Sequence, residues 1–120
     1  MGPAELLRWQ WEGYPQYHRN RTNLLLHIIV VPLFWAGTLL LIAAAVELDW
    51  VYLAVGAAFL VVSVAAQGRG HRLEPVPPAA FSGPWNFIGR LIFEQWITFP
   101  RFLLSGGWGR NFAAGGGDVR

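Results

Sequence analysis

Two apolar runs joined by a short acidic turn constrain this chain more than anything else in it. Residues 24–46 are almost unbrokenly apolar, interrupted only by His27, Pro32, Gly37 and Thr38. As a helix they span roughly 35 Å, enough to cross a bilayer with some tilt. Pro32 removes one backbone donor and should kink that helix. Residues 51–66 form a second apolar run, near the lower limit for a span, and its Gly56, Ala57, Ala58, Ser63, Ala65 and Ala66 permit close helix approach. The connection between them is only Glu47-Leu48-Asp49-Trp50, so the natural arrangement is an antiparallel membrane hairpin.

Composition agrees. The chain is 54% hydrophobic and only 13% charged, with seven tryptophans, and its mean hydropathy is +0.36. A soluble domain of this size could not hide that much apolar surface. All nine basic residues are arginine, and the net charge of +2 is spread along the chain, which argues against nucleic acid as a partner. With no cysteine, disulfides, thiolate metal sites and cysteine nucleophiles are excluded. The N-terminal residues do not read as a signal peptide.

The flanks complete an all-α membrane protein. Residues 4–17 carry Leu6, Leu7, Trp9, Trp11 and Tyr14 after Pro3, the pattern of an interfacial helix. Pro75, Pro77 and Pro78 make 75–84 a loop. Over 85–104, Arg90, Glu94, Thr98 and Arg101 form a polar stripe in an apolar stretch, with Arg90 and Glu94 spaced to pair. That predicts an amphipathic or half-inserted helix broken near Pro100. The expected domain covers 1–112, followed by a disordered tail over 113–120. Arg19 and Arg21 precede the first span and Arg69 and Arg72 follow the second, so these ends are expected to face the cytoplasm. That means the inner membrane in a bacterium or the endoplasmic reticulum in a eukaryote.

The same hairpin gathers the chain's ionisable chemistry. His27 lies about one turn inside the first span, where an ionisable side chain costs a few kcal/mol and normally has a partner or a task. His18 precedes that span, while His71 and Glu74 follow the second, so all four belong at one membrane face. Three imidazoles and a carboxylate suit iron(II), as in non-haem oxygenases, or zinc, as in hydrolases. The composition and spacing do not choose between them. Two plainer arrangements compete: a haem or metal-ion binding module, and histidines that only hydrogen-bond across the hairpin. Arg90 and Arg101 read first as interfacial anchors, with binding of a fatty-acid carboxylate as their functional alternative.

Tyr17-His18, Asn23 and His27 leading into the span with Pro32, then Gly70-His71, Glu74 and Pro78-Ala79, resemble a known family. It is the fungal-type 2-hydroxy-fatty-acid dioxygenase family, small membrane enzymes of phytosphingosine breakdown. The resemblance covers about residues 5–105. It implies an iron(II)-dependent dioxygenase that shortens a 2-hydroxy fatty acid by one carbon in α-oxidation, using molecular oxygen and no 2-oxoglutarate. It also implies His18, His27 and His71 as the catalytic, metal-binding histidines, with Glu74 at a further motif position as a fourth metal ligand and Asn23 at another as a substrate-binding residue. Glu74 lies three residues after His71 where the family pattern has four, and the segment after it is richer in proline.

Overall fold

The computed structural model describes residues 1–115, and among these the chain is helical with no strand. Helix α2 (Arg21–Glu47) and helix α3 (Trp50–His71) form the hairpin. Each starts at a polar cap: Asn20 Oδ1 accepts from the Asn23 amide, and Asp49 Oδ1 accepts from Val51 and Tyr52. Between them only Leu48 takes a left-handed conformation, at φ 52°. The hairpin closes where Gly37 meets Gly56. A Cβ at Gly37 would lie 2.9 Å from the Gly56 carbonyl oxygen, and a Cβ at Gly56 3.0 Å from that of Gly37, so neither position admits a side chain without the helices parting. Both helices run longer than their apolar stretches. On α3, Ser63 donates to the Val30 carbonyl and Gln67 is buried beside it.

Helix α1 (Pro3–Tyr17) begins on Pro3 and buries Leu6, Gln10 and Tyr14, one helical stripe. That stripe packs on the rod formed by α4 (Pro84–Phe93), a π-helical segment (Glu94–Thr98) and α5 (Phe99–Leu104). The expected break at Pro100 takes a different form. Pro100 has no N–H to donate, and the turn just before it widens, the Phe99 amide reaching back to the Glu94 carbonyl. The rod continues, with Gln95, Thr98, Phe99 and Phe102 buried. Helix α6 (Gly107–Ala114) then folds back onto the start of α2. Ala113 and Ala114, expected in a disordered tail, are helical; 116–120 of that tail lie outside the described residues.

α2 and α3 are long and apolar enough to cross a membrane, and only 28% and 17% of their most apolar windows are buried inside the protein. Ile29, Leu39, Ile42, Val51, Val61 and Val62 point outwards and are exposed. A contiguous apolar surface of this kind needs a non-aqueous neighbour and suggests membrane association. The polar residues collect at the end of the hairpin where α2 begins and α3 ends.

Candidate metal centre

At that end His18, His27, His71 and Glu94 each offer a ligand atom, all within 4.8 Å of one another. Four different segments deliver them. His18 closes the C-terminus of α1, His27 sits on the second turn of α2, His71 is the last residue of α3, and Glu94 opens the π-helical segment. The three rings are mutually near-perpendicular, with centroids 4.7 to 5.3 Å apart. His27 is wholly buried and His18 is 3% exposed.

The nitrogens show which way each ring is wired. His18 Nδ1 lies 2.9 Å from the Tyr14 carbonyl oxygen, and His27 Nδ1 lies 2.9 Å from that of Asn23. A carbonyl only accepts, so both Nδ1 atoms carry the hydrogen, and in the neutral ring Nε2 is left with a free lone pair. A metal-binding histidine is oriented in this way by a hydrogen bond from its other nitrogen. Both Nε2 atoms, and Nδ1 of His71, are buried without a hydrogen-bond partner. Two orphaned imidazole nitrogens turned toward one carboxylate, with His71 in the same cluster, fit a metal ion better than they fit a packed core.

Glu94 faces these nitrogens. Its Oε2 lies 3.2 Å from His18 Nε2 and 3.5 Å from His27 Nε2, and it accepts a 2.7 Å hydrogen bond from the Tyr14 hydroxyl. Burial alone would push the Glu94 carboxyl up. The adjoining His18 and His27 outweigh it and hold the carboxyl well below the usual range. Burial, and then the charge of Glu94, push the Tyr14 phenol well above its ordinary value, so it remains a donor. Its ring also stacks on His18, centroids 3.7 Å apart. Beneath the centre, Gln67 and Gln95 join side chains in a reciprocal amide pair of 2.9 and 2.8 Å, which ties α3 to the π-helical segment. Trp35 on α2 donates to the Gln95 carbonyl, so the segment bearing Glu94 is held from both spans.

Glu74 stands elsewhere. It is 4% exposed, and its oxygens accept from the amides of Arg19 (2.7 Å) and Asn20 (3.0 and 3.1 Å) and from Asn23 Nδ2 (2.7 Å). It lies outside the histidine cluster and is a carboxylate bound to the N-terminal end of α2, where free N–H groups favour negative charge. Asn23 serves that contact and does not line the cavity described next. Arg90 does not pair with Glu94 as its spacing suggested. It donates to the Ala79 and Ala80 carbonyls at 3.0 and 3.1 Å, and its guanidinium lies over the Phe81 ring. Arg101 lies over Trp11, 3.9 Å from the ring centroid, in a separate groove.

His18, His71 and Glu94 line a cavity of about 230 Å³ between α1, α3, the proline loop and α4. Its other walls are mostly apolar, among them Trp9, Val64, Phe81, Phe87 and Leu91, with Arg90 as the one arginine. A group of metal-binding type at the end of an apolar cavity can hold the polar head of a lipid while its chain stays among hydrocarbon.

Glu94 is the residue that the sequence reading missed. Its signal was there: one acid in an apolar helix, sharing a face with Thr98. The stripe was read as the polar face of an amphipathic or half-inserted helix, with Glu94 spaced to pair with Arg90; at Glu94 and Thr98 it faces the interior, Thr98 donating to Gln10. Among curated proteins and among solved structures, nothing matches the chain. A family model does. It spans residues 5–101, which include all four members of the cluster, and it assigns the chain to the family described as 2-hydroxy-palmitic acid dioxygenase Mpo1-like.

Proposed function

We propose that the protein is an iron(II)-dependent dioxygenase that shortens 2-hydroxy fatty acids by one carbon. One 2-hydroxy acid and one O2 give the fatty acid one carbon shorter, CO2 and water, which balances without 2-oxoglutarate. The observation that carries the assignment is the convergence of three orphaned imidazole nitrogens and Glu94 at the cavity. His18 and His27 through Nε2, His71 through Nδ1, and Glu94 would hold the ion. Three nitrogens and one oxygen, with no sulfur, would suit iron(II). Bound there, iron supplies the electron-transfer chemistry that lets a hydroxy acid react with O2.

The chain's own residues do the rest. Tyr14 holds its proton against Glu94 and fixes that carboxylate. Arg90, with donors to spare beyond its two carbonyl contacts, offers the substrate carboxylate a positive wall. Trp9, Phe81 and Leu91 surround the first carbons of the chain and keep water away from the ion. Arg101, over Trp11 and away from the cavity, acts as an interfacial anchor. The arginines near Arg19 and Arg69 favour a cytoplasmic position for the site.

The test is oxygen uptake by anaerobically purified, iron-loaded protein given 2-hydroxypalmitate. Uptake matched by a fifteen-carbon fatty acid and CO2 is the expected result. Stoichiometric iron with no uptake would overturn the assignment in favour of a non-catalytic metal-binding module.

A further inference from the structure

The family match ends at residue 101, and α6 (Gly107–Ala114) lies beyond it. Yet the polar contacts of α6 converge on the turn between α1 and α2 and on the first helical turn of α2. The Asn111 side-chain amide donates to two carbonyls of that turn, Pro15 at 2.9 Å and His18 at 2.7 Å. Trp108 Nε1 donates to the Leu24 carbonyl at 3.0 Å. In return Arg21 Nε donates to the Phe112 carbonyl at 2.8 Å, capping the C-terminal end of α6, and its guanidinium lies 5.2 Å from the Phe112 ring centroid. Phe112 stacks on Trp108, which joins the contacts into one unit.

The turn so held is the one that carries His18. Its backbone is gripped from two sides: Glu74 takes the amides of Arg19 and Asn20, and Asn111 takes the carbonyls of Pro15 and His18. His18 is the only member of the cluster outside the hairpin and the α4–α5 rod. Tyr14 orients its side chain through one stacking contact and one hydrogen bond, the His27, His71 and Phe102 rings stand around it, and the backbone fixes where that ring starts from. We infer that α6 is a clasp that sets the position of His18 in the metal centre, with Asn111 as the positioning residue. This rests on the metal-centre assignment, and the experiment separates the two.

The probe is cobalt(II), titrated into full-length protein under argon. Affinity is read by equilibrium titration, and the ligands by the paramagnetically shifted exchangeable ring N–H signals in the proton spectrum. Wild-type protein should bind one cobalt(II) and show the Nδ1–H signals of both His18 and His27. Asn111→Ala should bind about tenfold more weakly, at the lower end of what losing an outer partner of a metal ligand costs. Its His18 signal should broaden or vanish while that of His27 persists, a selective change that general loosening of the fold would not give. Should Asn111→Ala not fold, Asn111→Ser, which also removes the amide that donates to the Pro15 and His18 carbonyls, takes its place with the same expected pattern. A variant that keeps wild-type affinity and both signals overturns the clasp while the metal centre stands. Wild-type protein that binds no cobalt(II) overturns both.

Discussion

The Glu74 corner and the Glu94 corner place two carboxylates close to the same few residues, and the chain uses them in opposite ways. Around Glu74 every neighbour donates: the amides of Arg19 and Asn20 and the side-chain amide of Asn23. Such a carboxylate is saturated and has nothing left to offer an ion. Around Glu94 one hydroxyl donates, from Tyr14, and the other near atoms are imidazole nitrogens with free lone pairs. That carboxylate keeps lone pairs with which to hold a cation. What separates a structural carboxylate from a candidate metal ligand here is therefore its supply of donors, since both are poorly exposed to water.

Removing the nitrogens attacks this contrast most severely. His27→Ala and His71→Ala should each abolish iron loading and lower turnover below about 1% of wild type, more than the 10–100-fold typical of outer partners. Iron content by elemental analysis and oxygen uptake check this; wild-type iron and activity in either variant remove that residue from the ligand set. Exchanging the carboxylates sharpens it. Glu94→Gln should lose more than about 100-fold in iron affinity and still fold. Glu74→Gln, which turns an amide nitrogen or a weaker acceptor toward buried N–H groups, should lose about 1–3 kcal/mol of stability. Its folded fraction should still bind iron, as unfolding curves beside anaerobic iron titrations will show. Tyr14→Phe keeps the stack on His18 and removes one donor to Glu94, so iron affinity should fall about 10–100-fold with the fold intact. Smallest at the site is Gly56→Ala. It forces the helices apart where the Cβ would meet the Gly37 carbonyl, which should cost about 1–3 kcal/mol of hairpin stability and leave iron affinity unchanged.

The hairpin was legible because apolar length and a short capped turn leave few alternatives: Asp49 caps α3 and Leu48 turns the corner within the segment read as the acidic turn. The three histidines could be expected together because the hairpin's register returns His71 to the level of His27. The fourth member was not legible in the same way. Glu74 is near His71 in sequence, whereas Glu94 arrives through a proline loop, a second rod and a local widening of that rod before Pro100. Periodicity places Arg90, Glu94 and Thr98 on one face, but it is silent on whether that face meets water or buried imidazoles. The glycine-rich C-terminal region, too, carries no periodic signal strong enough to reveal that Asn111 binds the turn at His18 and Trp108 the start of α2.

X-ray absorption at the iron edge of anaerobically loaded protein, wild type beside Glu94→Gln and Glu74→Gln, tests the metal centre most directly. The expected result is one iron per chain with three imidazoles in wild type and in folded Glu74→Gln, and loss of that iron in Glu94→Gln. An iron shell with one imidazole or none, or a shell lost in folded Glu74→Gln and kept in Glu94→Gln, would contradict it.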